Sequence, residues 1–255
     1  MISLEKVYAN YLSRKYVVVS SSSLNDALAK FWTLNVHFIF TCDNFIDLSK
    51  LDNIGQSLQA LYYKPKYGFL GKIEIVKEFC QRRSVIFIED FTENFSANKI
   101  IDGKSLYAGM FGDVSVCIID NVFFYATDNE KLAEFLGNFA VQPEVSKKKK
   151  LIDFLFEVEV EKRKRRIVVA NYVMLIAYTG LFRYLKPIDE VDGEAASYPV
   201  FAVTSENACN LWHYMTKNGA KINKCNDFLL LPTDVTEVEL KNIIDLISKF
   251  YREVY

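Results

Sequence analysis

Charge of one sign is what this sequence most plainly lacks. Lys plus Arg total 31 and Asp plus Glu total 32, a net charge of −1. That balance makes no global electrostatic case for nucleic acid. Long apolar runs are also missing, since none reaches the roughly 18–20 residues that a membrane span needs. The opening stretch MISLEKVYANYLSRKY is amphipathic and charged from its fifth residue. A secretory signal has a different pattern. Cysteine is scarce: Cys42, Cys80, Cys117, Cys209 and Cys225 are odd in number, widely spaced and form no CxxC. They read as reduced thiols, which places the expected setting in the cytoplasm. Histidine is scarcer still, with only His37 and His213. There is no internal repeat, and no low-complexity tract beyond Lys147 to Lys150.

Apolar residues are present in quantity. They make up 51% of the 255 residues, with 20 Phe and 15 Tyr. Disorder as a global state is thereby excluded, because this much burial offsets chain entropy. A compact chain of this size buries roughly 70–75% of its unfolded surface and needs no staples.

The order of elements is more informative than composition. Leu4 to Leu12 has a helical apolar period, and Tyr16 to Val19 reads as a short buried strand. The polar turn Ser20 to Ser23 leads into a helix over Asp26 to Trp32, with Ser23 or Asn25 as its cap. Strands follow at Val36 to Phe40 and Ser57 to Tyr63, then a helix over Ile73 to Arg82. The apolar strand Ser84 to Asp90 ends in two carboxylates. Strands alternating with helices imply βαβ units and a mostly parallel sheet. Ligands in such sheets sit at the carboxyl ends of strands, where Asp90 lies.

Val114 to Ile119 and Val122 to Ala126 form an expected hairpin on the Asp120-Asn121 turn. A helix is expected over Asp128 to Phe139, then a polar linker over Gln142 to Lys150. A long helix from Leu151 to about Leu185 is expected to break at Gly180. Pro187 to Ala196 reads as a loop. Tyr198 to Val203 reads as a strand, Glu206 to Asn218 as a helix with Gly219 as its αL cap, and Leu229 to Leu231 as a short strand. Thr236 and Glu239 form a capping box for the last helix. The fold class is therefore α/β, with a mostly parallel mixed sheet in residues 1–145 and a small α+β domain in residues 146–255.

Four segments, taken together and in order, resemble the DegT/DnrJ/EryC1/StrS sugar aminotransferases of the fold-type I class. Leu4 to Leu12 with Lys15 to Ser21 resembles that family's opening helix, strand and serine turn. Tyr67-Gly68, Ile88-Glu89-Asp90, Asp102-Gly103-Lys104 and Gly109-Met-Phe-Gly112-Asp113 resemble its YG, IED, short hairpin and GS-x-GD at similar spacings. Ala126 to Glu134 resembles the segment after its catalytic loop. Leu229 to Ile244 resembles its closing LPLHP strand and helix. The resemblance implies an aminotransferase-like large domain, a cofactor of pyridoxal phosphate (PLP), a nucleotide-sugar substrate and a homodimer.

The departures are as informative. The resemblance places a Schiff-base lysine between the GD and TDN-like segments, yet no lysine occurs between Lys104 and Lys131. Related sugar 3-dehydratases use a histidine there, and neither His37 nor His213 falls in that stretch. Asp90 matches the aspartate that holds the pyridine nitrogen. Glu93 stands where a glutamine is expected. Ser22 and Ser23 stand near a phosphate cradle that in the family is Gly-Thr. Three functions follow. The leading one is a catalytically degenerate homologue that needs no PLP. It would act as a subunit or regulatory partner, with an active paralogue or another copy, in nucleotide-sugar or surface-polysaccharide synthesis. The others are an active PLP enzyme using a displaced lysine such as Lys104 or Lys131, and a sugar-nucleotide binder that works without PLP.

Several clusters have plainer readings. Asp90 serves equally as a strand-end carboxylate capping a loop. Glu89 and Asp90 are strand neighbours and point to opposite faces, so they do not converge. The serine turn reads equally as a helix cap. Cys209 and His213 share a helix face at i, i+4, which reads as a packed thiol beside a half-buried histidine rather than a metal pair. The basic run Lys162 to Arg166 is balanced by Glu157, Glu159 and Glu161, a solvated helix face.

Overall fold

The computed structural model describes residues 3–32, 36–40, 58–188, 190 and 193–254, with the backbone alone for 36–40. Ser57 and Cys42 lie outside the described residues, as does the side chain of His37. The chain divides into two compact units, Met1–Glu159 with Val191–Ala196, and Val160–Glu190 with Ser197–Tyr255.

The first unit is built on six strands: β1 (Tyr16–Ser20), β2 (Val36–Phe40), β3 (Ala60–Lys64), β4 (Ile86–Asp90), β7 (Val114–Ile119) and β8 (Val122–Thr127). Their order is β1-β8-β7-β4-β3-β2. β2, β3, β4 and β7 run parallel, while β8 is antiparallel to both β7 and β1. This is the expected mixed sheet, with the hairpin where it was expected. Asp120 and Asn121 have φ of 50° and 58°, the positive values that a tight hairpin turn requires.

Helices cover both faces. Leu4, Tyr8 and Leu12 bury one side of α1 (Leu4–Tyr11) in a cluster with Tyr63, Phe87 and Phe124. Tyr8 stacks on Phe124, with ring centroids 4.1 Å apart and planes 18° apart. The other face holds Tyr62, Ile88, Val116 and Tyr125 beneath α2 (Asn25–Trp32) and α4 (Glu130–Gly137). Helix α3 (Ile73–Arg82) buries Ile73, Val76, Phe79 and Cys80 in the first cluster. Its apolar spacing fits the expected helix.

A second sheet in this unit is the hairpin β5 (Asn98–Ile101) and β6 (Lys104–Tyr107), extended by β10 (Glu194–Ala195). The expected loop over Pro187 to Ala196 therefore carries two strand pairings, β9 (Lys186–Pro187) and β10. A two-residue pairing leaves no periodicity to read. The linker expected over Gln142 to Lys150 is also corrected. Helix α5 starts at Val145 and runs to Tyr178, because lysine is a good helix former even without an apolar period. Its end agrees with the expectation, since Gly180 follows at φ 70° in the left-handed region.

In the second unit β11 (Val200–Thr204) lies between β13 (Phe228–Pro232) and β9, with β12 (Asn223–Cys225) on the far side of β13. Helices α6 (Ala208–Lys217) and α7 (Glu237–Val254) complete it. The Thr236–Glu239 capping box forms as expected: the Thr236 N–H and hydroxyl both donate to Glu239 Oε2 at 2.8 Å.

Candidate functional site

Asp90 ends β4, and α2 starts just after β1. These two strands run the same way, so Asp90 and the start of α2 share the carboxyl edge of the sheet. Cross-strand register ties them together. Asp90 is level with Val116 on β7, Val116 with Tyr125 on β8, and Tyr125 with Val18 on β1. Tyr62 is level with Ile88, two residues before Asp90. The period-2 alternation of strands then puts Tyr62, Ile88 and Asp90 on one face.

Two tyrosine hydroxyls engage this edge, one at Asp90 and one at the start of α2. The Tyr62 hydroxyl donates to Asp90 Oδ2 at 2.5 Å. The Thr92 N–H donates to Asp90 Oδ1 at 3.0 Å. At the start of α2 the Tyr125 hydroxyl accepts the Leu24 N–H at 2.8 Å and donates to Asn25 Oδ1 at 2.9 Å. Burial, then the neighbouring Asp90 carboxylate, raises the pKa of Tyr62, so its hydroxyl stays a donor. Burial also raises the pKa of Tyr125, against the Leu24 hydrogen bond.

Glu93 is part-buried and pairs with Lys64 at 3.4 Å and Lys66 at 3.0 Å. Lys64 Nζ is also 3.8 Å from Asp90. Ser22 is exposed and its hydroxyl is 3.2 Å from that of Ser20. Ser23 accepts the Asn25 N–H at 3.3 Å, the local cap geometry. Both serines border a hollow of about 210 Å³, together with Asp26, Lys30 and Phe139 but not Asp90 or Glu93. A larger hollow of about 590 Å³ borders Arg14, Ile86, Asp113 and Asp128, at the opposite edge of the sheet.

Glu89 and Asp90 diverge as expected. Glu89 is buried and accepts N–H bonds from Gly109 at 2.6 Å, Phe111 at 2.9 Å and Gly112 at 3.0 Å. Burial raises its pKa, while those N–H groups and Arg14 pull it back. The carboxylate pins the 109–112 loop. A Cβ on Gly112 would meet the Val114 carbonyl oxygen at 2.6 Å and Glu89 Cβ at 2.9 Å.

Lys104 lies exposed at the start of β6, and Lys131 lies exposed in the first turn of α4. His213 and Cys209 are both exposed, which corrects the expectation of a packed thiol beside a half-buried histidine. His213 rests against Trp212 with ring centroids 4.7 Å apart. No cluster of metal-ligating residues exists among the described residues. Sequence reasoning missed Tyr62, Tyr125 and Lys64. The one available signal was a phenol within the largely apolar strands Ala60–Lys64 and Val122–Thr127.

Solved structures match this architecture over nearly its whole length. An aminotransferase, TlmJ, from Streptoalloteichus hindustanus superposes with a TM-score of 0.84 at 13% identity, covering 99% of this chain and 90% of that one. The chain has a sugar-aminotransferase fold. A DegT DnrJ EryC1 StrS aminotransferase from Brucella abortus gives 0.80 at 14% identity, covering 97% of this chain and 89% of its own. The Helicobacter pylori aminotransferase PseC, involved in the biosynthesis of pseudoaminic acid, gives 0.79 at 13% identity, covering 98% and 90%. No family model matches the sequence, and no curated protein does. This likeness therefore lies in the fold, which also matches a Streptococcus pneumoniae protein, described as a sugar aminotransferase, in its PLP form.

Proposed function

We propose that this chain is a catalytically silent homologue of the nucleotide-sugar aminotransferases. It works in the cytoplasm as a binding or regulatory subunit, as a dimer with another copy or with an active paralogue, in nucleotide-sugar or surface-polysaccharide synthesis. One observation carries the reading: the protein's own hydroxyls fill the two anchor points of the carboxyl edge. Tyr62 engages the carboxylate that would hold a pyridine nitrogen. Tyr125 takes the Leu24 N–H at the helix start, where a phosphate would be received.

The described residues match PLP poorly, and this supports the proposal. A pyridoxal aldehyde is para to the ring nitrogen. A lysine that joins it must stand across the ring from the aspartate. Lys64 instead stands beside Asp90, paired with Asp90 and Glu93. Displacing either tyrosine would leave a buried hydroxyl without its partner, a cost of about 1–3 kcal/mol each. Ser22, Ser23, Asp90 and Glu93 are thus remnants of a cofactor site. What Tyr62 and Tyr125 do is hold this edge closed and rigid.

The test is amino transfer. Purified protein with added PLP, an amino-acid donor and a keto-sugar nucleotide is expected to form no amino sugar above the buffer rate. Turnover that disappears in Lys64→Ala, Lys104→Ala or Lys131→Ala would restore the active reading and name its lysine.

A further inference from the structure

A hollow of about 590 Å³ opens at the edge of the sheet opposite Asp90, inside the roughly 300–1,000 Å³ range in which proteins hold small ligands. Its lining belongs entirely to the first unit. It sits where β4 and β7 begin and β8 ends. Trp32 reaches it from the end of α2, and Lys77 and Gln81 reach it from α3.

The polar groups here are anchored and still available. Asp113 Oδ2 accepts the Phe87 N–H at 2.8 Å, and the exposed side chain keeps Oδ1 for a ligand. Asn129 Oδ1 accepts the Leu132 N–H at 3.1 Å, and its amide nitrogen has no partner among the described residues. Asp128 is fixed by the Lys15 N–H at 2.9 Å and by Arg14 at 3.0 Å, yet its side chain is 49% exposed. These three are already held in place, so they lose little freedom when a ligand arrives. Lys77 and Gln81 stand one helical turn apart, and neither side chain has a partner among the described residues. Trp32 supplies an apolar wall. It is part-buried, and its ring meets that of Phe31 edge-on with centroids 5.2 Å apart.

Charge and hydrogen bonding select the ligand. Arg14 is engaged by Asp128 and by the Gly109 and Gly112 carbonyls. Lys77 and Asp113 then balance, so the lining has no surplus charge for an anion or a cation. What remains is a mix of donors and acceptors around one indole. A hydroxyl both donates and accepts, so a ring of hydroxyls can meet each of these groups. The C–H face of the same ring is apolar and can lie flat on an aromatic surface. We propose that this hollow binds an uncharged sugar, its ring against Trp32 and its hydroxyls shared among Lys77, Gln81, Asp113 and Asn129. The site is distinct from the carboxyl edge and uses neither Asp90 nor the Tyr62 and Tyr125 hydroxyls.

The chain has two tryptophans, Trp32 and Trp212, so Trp212→Phe leaves Trp32 as the one indole reporter. Fluorescence of this full-length variant is followed as glucose, galactose, N-acetylglucosamine and their β-1,4-linked disaccharides are added in turn. At least one of them is expected to give a saturable change at millimolar concentrations. Lys77→Ala should weaken that binding about tenfold and Gln81→Ala about threefold, since a charged partner outweighs a neutral one. Circular dichroism confirms that each variant keeps its helix content. Inorganic phosphate should leave the signal unchanged. No saturable response to any of these sugars overturns the proposal. So does a response that both substitutions leave intact, or one that phosphate reproduces. None of these outcomes bears on amino transfer, which depends on the opposite edge.

Discussion

Asp90 is held by three groups at once: the Tyr62 hydroxyl, the Thr92 N–H and the more distant Lys64 ammonium. Tyr62→Phe removes the strongest of them and leaves a buried acceptor short of a donor. The expected loss is about 1–3 kcal/mol, read as a lower midpoint in denaturant unfolding. Gly112→Ala is expected to cost about as much, because its Cβ would press on the Val114 carbonyl. Asp128 supplies a pH handle. Partial burial works against its carboxylate, but the Lys15 N–H and Arg14 outweigh this and hold its pKa below 3.8. A carboxyl lowered on folding adds stability above its unfolded pKa, and that stability is lost as pH falls through the folded value. The gap between wild type and Asp128→Asn should therefore be full at neutral pH and close in the acid below about pH 4. A gap unchanged across that range would refute the assignment. At this scale Asp90 was legible in the sequence, as a carboxylate at the end of an apolar strand. Tyr62 and Tyr125 were not. Each reads as a core aromatic, and its role depends on the register through Val116, which no local pattern records.

Elements with a strong period were legible, and those held by composition or by distant partners were not. The Ile73 to Arg82 helix and the 114–127 hairpin follow from apolar spacing and the Asp120-Asn121 turn. The first helical turns of α5 were hidden because four lysines in a row have no apolar side, although lysine suits a helix well. The pairing of β10 with β5 was hidden because Glu194 and Ala195 find their partners at Lys99 and Asn98, far away in sequence. Caps are testable at this scale. Asn129 Oδ1 accepts the Leu132 N–H at 3.1 Å at the start of α4. Asn129→Ala is expected to lower stability by about 1 kcal/mol, and Asn129→Ser by much less. Equal losses from both would show that the cap is not what Asn129 supplies.

At the scale of the molecule, an aminotransferase fold persists at 9–14% identity, and at the carboxyl edge of its sheet the Tyr62 hydroxyl engages Asp90 and the Tyr125 hydroxyl engages the start of α2. The fold survives because the apolar pattern of the strands and helices carries it, and many residues satisfy that pattern. A cofactor site has no such tolerance. It needs a lysine and a phosphate cradle at fixed points, and the stretch from Asp113 to Thr127 is a tight hairpin with no lysine. Whether PLP still enters the protein is open to one direct measurement. Purified protein is titrated with PLP while the visible absorbance is followed, then reduced with borohydride and mapped by mass spectrometry. The expected result is no saturable aldimine band and no stoichiometric pyridoxyl-lysine. A one-to-one adduct on a single lysine would contradict the account and identify the residue on which an active enzyme depends.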